Sequence, residues 1–159
     1  MNLQLTLNGE AVSRDVDPCA RLIDVLRDEL GTKGVKEGCG EGECGACTIL
    51  LDDAPVNACL VLAAQADECR ITTVEGLSTN GELHPVQRAF ADAGAVQCGF
   101  CTPGFVLATV ALLRETPRPT DDEIIDALAG HLCRCTGYRK IVDAVRLAAD
   151  EMATKAGQT

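Results

Sequence analysis

Apolar and polar residues alternate at the start of the chain. Leu3, Leu5 and Leu7 fall on one face of a strand, and the Asn-Gly pair at residues 8–9 is a strong signal for a tight hairpin turn. Residues 12–16 continue as a return strand. The chain is therefore predicted to open with a β-hairpin.

The next apolar positions follow a helical period. Leu22, Leu26 and Leu30 recur every four residues, and Gly31 comes directly after them, where the C-terminal cap of a helix belongs. This spacing predicts an amphipathic helix that ends at Gly31.

Further strands are indicated in the same half of the chain. Residues 48–51 have the composition of a strand, the Asp-Asp pair at residues 52–53 favours a turn, and residues 70–75 are predicted to form a last strand. Strands combined with one helix predict a small α+β domain.

The second half of the chain has a helical pattern throughout. Four stretches carry it: one that ends at Gly94, one over residues 103–115 that is apolar nearly all round, one that Thr120 and Glu123 open as a capping box, and one over residues 141–152. Four short helices predict a bundle.

The composition shifts near residues 78–81, where the sequence is Ser-Thr-Asn-Gly. We therefore predict an α+β domain over residues 1–77, an all-α domain over residues 82–153 and a C-terminal tail over residues 154–159.

Composition and charge limit the partners and the cellular setting that fit this chain. The chain carries ten cysteines and a formal net charge of −10, with 24 acidic residues against 14 Lys and Arg. So few scattered basic residues disfavour nucleic acid, and the acidity either keeps the protein soluble or steers it to a basic partner. We find neither a secretory-signal pattern nor an apolar stretch long enough to span a membrane, so we expect a reducing, cytoplasmic setting without disulfides.

The first cysteine group lies in a glycine-rich segment. Cys39, Cys44 and Cys47 have C-x₄-C-x₂-C spacing, and Cys59 follows eleven residues after Cys47. This is the spacing of a plant-type [2Fe–2S] site, and interleaved glycines let the backbone wrap closely around a cluster. A zinc knuckle or a flexible loop with reduced thiols is the alternative.

The second cysteine group comes in two pairs. Cys98 and Cys101 precede the helix predicted from residue 103, and Cys133 and Cys135 precede the helix that begins near Tyr138. If the two helix N-termini converge, their positive dipole ends would favour an anionic cluster held by four thiolates. Taken alone, these spacings also suit Zn²⁺ or a redox-active dithiol.

The remaining candidate ligands are given no metal role. His84 and His131 do not have the spacing of a Rieske centre, and we expect them to be surface or capping residues. Cys19 and Cys69 fall outside both groups and are assigned no role.

Three segments carry a family resemblance. Residues 37–47, 97–104 and 132–138 resemble the small iron–sulfur subunit of the molybdenum hydroxylases, the xanthine dehydrogenase and aldehyde oxidoreductase family. The resemblance implies a β-grasp, ferredoxin-like domain followed by a four-helix bundle, with one [2Fe–2S] cluster in each. The ligands that it implies are Cys39, Cys44, Cys47 and Cys59 for one cluster and Cys98, Cys101, Cys133 and Cys135 for the other.

The resemblance also implies an electron path and partner subunits. Molybdopterin, in its cytosine dinucleotide form, would lie on a large subunit beside the second cluster, with Gln97 hydrogen-bonded to the pterin and Cys135 closest to it. FAD would lie on a medium subunit toward the first cluster. The chain would relay electrons between them in a heterotrimer or a dimer of heterotrimers, and substrate would be oxidised on the partner subunit.

The resemblance also favours one class of substrate. Residues 35–38 and 94–97 resemble subunits of xanthine- or nicotinate-type enzymes, which favours hydroxylation of an N-heteroaromatic ring; aldehydes and carbon monoxide stay open. A stand-alone ferredoxin and a zinc-stabilised interaction protein are the alternatives of another class.

Overall fold

A computed structural model describes residues 1–156 of the 159-residue chain. Its sheet has five strands in the order β2-β1-β5-β3-β4, with β1 and β5 parallel and the other neighbouring pairs antiparallel. The strands are β1 (Asn2–Leu7), β2 (Glu10–Asp15), β3 (Thr48–Leu51), β4 (Ala54–Asn57) and β5 (Arg70–Thr72).

The predicted hairpin is confirmed. Asn8 and Gly9 both have positive φ, at 53° and 88°, as a tight turn of this hand requires. The side chains of Leu3, Leu5 and Leu7 are buried on one face of β1, as their period of two predicted.

The predicted amphipathic helix has a different form. An α-helical turn, α1 (Leu22–Asp24), continues as a π-helix over Val25–Glu29, in which the Leu30 N–H donates to the Val25 carbonyl at 3.0 Å. Gly31 has a φ of +74° and ends the segment as predicted. The apolar period correctly predicted the buried face and the C-terminal cap, but it does not distinguish an α-helix from a π-helix.

Two strand expectations also change. β4 was not predicted, and the last strand covers Arg70–Thr72 instead of residues 70–75. The strand stops because Thr73 turns away: its N–H donates to the side-chain oxygen of Asn8 at 2.8 Å, and a 3₁₀-helix over Val74–Leu77 follows.

Four helices follow the sheet: α2 (Pro85–Asp92), α3 (Thr102–Glu115), α4 (Asp121–Leu128) and α5 (Arg139–Ala156). The capping box of Thr120 and Glu123 is present, and α3 is buried on nearly every side, as its sequence predicted. Helix α5 runs to Ala156 and so includes the first three residues of the predicted tail; residues 157–159 lie outside the described residues. None of the helices in this part of the chain combines the length and apolar character needed to cross a bilayer.

Strand β3 joins two hydrophobic cores. Ile49 packs into a core formed by the sheet and α1, whereas Leu50 packs into a core formed by the four later helices. Both side chains have no exposed surface, because consecutive residues of a strand point to opposite faces. Helix α3 covers β3 on the second face and brings its N-terminus beside the first cysteine loop.

Candidate metal centres

The first cysteine loop is shaped by glycine. Gly40, Gly42 and Gly45 have φ values of 70°, 81° and 67°, in the region that side chains rarely adopt. A Cβ on Gly38 would lie 2.8 Å from the Cys44 Sγ, so the backbone passes too close to the sulfur for any other residue. The glycines therefore let the loop wrap tightly around its own cysteines.

Backbone donors point at the first sulfur of this loop. The N–H groups of Glu41 and Glu43 each donate to the Cys39 Sγ at 3.3 Å. These hydrogen bonds lower the pKa of Cys39 to about 7, because they stabilise the thiolate. Two inward N–H groups on one thiolate form the kind of backbone nest that stabilises an anionic cluster.

The four cysteines predicted for the first site lie close together in two pairs. The Cys44 side chain also lowers the pKa of Cys39, and the sulfurs of Cys47 and Cys59 lie 3.4 Å apart. Burial raises the pKa of Cys47 to about 12, with further effects from Cys59 and Cys44. Such a buried thiol is protonated at neutral pH, and a bound metal ion would favour its thiolate form.

The four cysteines predicted for the second site also pair. Burial, followed by a hydrogen bond to Cys133, raises the pKa of Cys101 to about 12. A thiol hydrogen bond to Cys98 raises the pKa of Cys135. The thiols of the segments before α3 and α5 therefore lie close enough to affect one another's pKa, and one cluster shared by all four stays a prediction.

The loop at residues 133–138 holds Cys133 through its own turn. The Thr136 N–H and hydroxyl donate to the Cys133 Sγ at 3.4 and 3.1 Å, and the Cys133 N–H donates to the Tyr138 hydroxyl at 2.9 Å. Burial acts to raise the pKa of Cys133, but hydrogen bonds from Thr136, together with effects of Cys135 and Cys101, outweigh it and the pKa falls to about 7. Gly137 and Tyr138 close the turn with positive φ.

The donor set of both sites fits a [2Fe–2S] cluster. Each site offers four thiols without a carboxylate or imidazole, and each directs two hydrogen-bond donors at one sulfur. Soft thiolates and inward donors suit an anionic iron–sulfur cluster. Within residues 1–156, no group of three or more Cys, His, Asp or Glu side chains has the geometry to hold a single metal ion.

The two histidines have different roles. His84 caps α2, since its Nδ1 accepts from the Val86 N–H at 3.2 Å, as expected. For His131 the expectation of a surface or capping residue was wrong, because its ring is packed against Phe105 with ring centres 5.2 Å apart. Burial lowers the pKa of His131, so the ring is held neutral.

His131 links the two halves through Thr48. The Thr48 hydroxyl donates to the Gly45 carbonyl at 2.8 Å, and the same oxygen lies 3.0 Å from the His131 Nε2. Because the hydroxyl has one proton, the ring must donate from Nε2, which leaves Nδ1 as the buried nitrogen without a partner in the structure. The sequence carried no signal for this contact, which joins residues 83 positions apart.

The two cysteine loops touch directly beside this contact. The Leu132 N–H donates to the Cys44 carbonyl at 3.0 Å, so residues adjacent in sequence to one site bind the backbone of the other. A Cβ on Gly104, at the start of α3, would lie 2.2 Å from the Gly45 carbonyl oxygen. This close approach fixes the second site against the first.

The two sites differ in exposure. Cys47 and Cys59 are buried, whereas Cys98 and Cys135 are exposed. Gln97 is exposed beside Cys98. Val96 and Phe100 add exposed apolar surface here, at 41% and 47% of their full accessibility; we call Val96, Gln97, Cys98, Phe100 and Cys135 the rim.

The two cysteines without a predicted role stay outside both sites. Cys19 is exposed, and Cys69 is half-buried near the end of the sheet, where its thiol donates to backbone carbonyls.

Two family models match the chain. The model described as a 2Fe-2S iron-sulfur cluster binding domain matches residues 5–75, and the one described as a [2Fe-2S] binding domain matches residues 73–146.

Similar proteins support the same assignment. The nicotinate dehydrogenase small FeS subunit of Eubacterium barkeri is 52% identical over 96% of this chain and 98% of its own length. Quinoline 2-oxidoreductase from Pseudomonas putida 86 contains a chain that is 43% identical, with a TM-score of 0.93, over 100% of this chain and 98% of that one. Aldehyde oxidoreductase from Desulfovibrio gigas matches with 42% identity and a TM-score of 0.93 over 98% of this chain, but over 17% of its own longer chain.

Proposed function

We propose a function from the premise that this chain belongs to the molybdenum hydroxylase family, as a small iron–sulfur subunit of a molybdenum-dependent oxidoreductase. It relays electrons from a molybdopterin centre through two [2Fe–2S] clusters to FAD. The observation that carries this proposal is the direct contact between the loops of two four-thiol sites, one with two buried cysteines beside the sheet and one with two exposed cysteines.

The chain's residues would hold one cluster in each site. We assign one to Cys39, Cys44, Cys47 and Cys59, and the other to Cys98, Cys101, Cys133 and Cys135. When bound, each cluster supplies a one-electron carrier that gains and loses an electron without moving atoms far. The protein contributes thiolates, inward hydrogen-bond donors and, at the first site, a glycine-rich loop that wraps closely around its cysteines.

The two halves match two functional units. We propose that residues 1–77 form a β-grasp, ferredoxin-like domain and that residues 82–153 form a four-helix bundle that carries the second site. The mixed five-stranded sheet supports the first assignment, and the shared core of α2, α3, α4 and α5 supports the second.

The exposure of the rim supports a proposal for the orientation of the two sites toward the partner subunits. An exposed cluster at Cys98 and Cys135 would be open to water, so we propose that a large molybdopterin subunit covers the rim. Gln97 would then hydrogen-bond the pterin, with Cys135 nearest to it. A medium FAD subunit would lie toward the first site, in a heterotrimer or a dimer of heterotrimers; the cytoplasmic location stays a prediction of the sequence.

We propose an N-heteroaromatic substrate for the complex. Nicotinate and quinoline, which name two of the similar proteins, are both nitrogen-containing aromatic rings. An aldehyde is the second candidate, because the match to aldehyde oxidoreductase is structurally as good. Turnover of nicotinate, quinoline, purines and aldehydes by the purified complex distinguishes them.

Metal analysis with cysteine variants tests the relay. We expect about four iron and four sulfide per chain in the anaerobically purified complex, from two [2Fe–2S] clusters. Cys101→Ser should halve both values and stop electron flow from substrate to FAD, while one [2Fe–2S] EPR signal persists. Cys19→Ser, an exposed cysteine outside both sites, is the matched control and should change nothing.

Three results would contradict the proposal. Zinc without sulfide would favour an interaction protein, and unimpaired substrate-to-FAD transfer in Cys101→Ser would exclude the relay. A monomer that purifies without large partners would favour a free ferredoxin.

A further inference from the structure

The hydrogen bonds to cysteine sulfur differ between the two sites. Cys39 receives its two donors from the backbone, whereas Cys133 receives one from the Thr136 backbone and one from the Thr136 hydroxyl. Within residues 1–156, Thr136 is the one residue that directs a hydroxyl at a cysteine sulfur. The second site therefore has a side-chain donor that a single substitution removes, while the Thr136 N–H donor to the same sulfur stays in place.

The loop holds the Thr136 hydroxyl in this orientation. The Tyr138 N–H donates to the Thr136 Oγ1 at 3.2 Å, which occupies one lone pair of the oxygen. The hydroxyl proton is then free to point at the Cys133 Sγ, 3.1 Å away. Tyr138 is itself fixed, because its hydroxyl accepts the Cys133 N–H and its ring packs edge-on against Phe105.

We infer that the Thr136 hydroxyl sets the reduction potential of the cluster in the second site, by raising it above the value that the thiolates alone would give. One-electron reduction adds a negative charge to the cluster and its thiolates, without a proton or a bond change. A donor aimed at a ligand sulfur stabilises that added charge, so it favours the reduced form. Thr136 thus acts through the Cys133 sulfur, whose added charge it stabilises.

The test is a potentiometric titration of the whole complex. Dithionite supplies the electrons in the presence of mediators, and EPR follows each cluster; the signal that Cys101→Ser removes identifies the second site. Thr136→Val keeps the size of the side chain but lacks the hydroxyl. We expect it to shift the one-electron equilibrium of the second site about tenfold toward the oxidised form, which lowers the reduction potential by about 59 mV. The potential of the first site should not change.

Matched variants separate tuning from structure. Thr136→Ser retains a hydroxyl and should keep most of the potential. Thr102→Val removes a hydroxyl beside Cys101 that is not hydrogen-bonded to sulfur in the structure, and it should leave both potentials unchanged. If Thr136→Val does not assemble the second cluster, Thr136→Ala is titrated in the same way.

The outcomes are distinct. An unchanged potential of the second site in Thr136→Val, or an equal shift in both sites, overturns the role of Thr136. This role rests on the proposed function, but different results would overturn each of them. A wild-type complex without two [2Fe–2S] signals would overturn the proposed function. Two signals whose potentials do not change in Thr136→Val would overturn only the tuning by Thr136.

Discussion

At the scale of single residues, one buried hydroxyl joins the two cysteine sites. The Thr48 oxygen is shared by the Gly45 carbonyl of the first loop and the His131 ring that precedes the second. Thr48 is 3% exposed, so water cannot replace either partner. A buried polar group that loses its partner costs more free energy than an exposed hydrogen bond gains.

Thr48→Val should therefore destabilise the protein. The substitution leaves the His131 Nε2 without its partner and removes the side-chain donor to the Gly45 carbonyl, so we expect a loss of about 1–3 kcal/mol in the free energy of unfolding. Urea unfolding under anaerobic conditions measures it, with equal cluster loading checked by absorbance. Thr48→Ser keeps the hydroxyl and is the control. If the two variants are equally stable, the Thr48 hydrogen bonds do not stabilise the fold.

At the scale of elements, α3 is the part that brings the second site to the first. Its first turn lies against the Gly45 carbonyl, and its length is buried against β3 and the other helices. Strand β3 is buried on both faces, because Ile49 packs into the core of the sheet and Leu50 packs into the core of the later helices. The distance between the two thiol sites thus depends on how closely one helix end approaches one loop.

Gly104→Ala tests this approach. The added Cβ would lie 2.2 Å from a backbone oxygen, which cannot rotate away, so α3 must shift. Overpacking of this kind costs about 1–3 kcal/mol. We expect a lower thermal midpoint together with a weaker magnetic interaction between the two reduced clusters in EPR.

The control for this variant is close by in space. A Cβ on Gly130 would meet nothing within 4 Å, and its φ is not in the left-handed region, so Gly130→Ala should leave stability and spectra unchanged. If Gly104→Ala behaves like Gly130→Ala, the packing of α3 does not set the spacing of the sites.

At the scale of the whole molecule, the distribution of exposed surface distinguishes two ends. The rim exposes Val96 and Phe100 beside two exposed cysteines, whereas β2 lies at the far edge of the sheet. Apolar surface around a polar site is a feature of protein interfaces. The rim is thus the face on which the proposed large subunit would dock.

Val96→Asp should prevent assembly with the molybdopterin subunit. A carboxylate buried at an apolar contact carries a large desolvation penalty, which no partner offsets by chance. We expect the variant chain to retain both clusters and to lose co-purification with the large subunit. Ala11→Asp adds the same charge on β2 and should assemble normally; normal assembly of Val96→Asp would exclude the rim as the docking face.

The sequence determined the features that depend on neighbours along the chain. The Asn-Gly turn, the end of the π-helix at Gly31, the capping box of Thr120 and the burial of α3 all follow from local φ preference, hydrogen bonding or apolar period, and the structure confirms each. The spacing of the cysteines and the three family motifs identified the iron–sulfur chemistry because ligand geometry in a tight loop is also a local property.

Tertiary structure decided what depends on residues far apart. The contact between Thr48 and His131, the approach of Gly104 to Gly45 and the end of β5 at Asn8 join positions that no sequence period relates. The same holds for which cysteines reach the surface. Local patterns fix torsion angles and faces, but the distance between two sites is set when separate elements share one core, and that packing is a property of the folded chain.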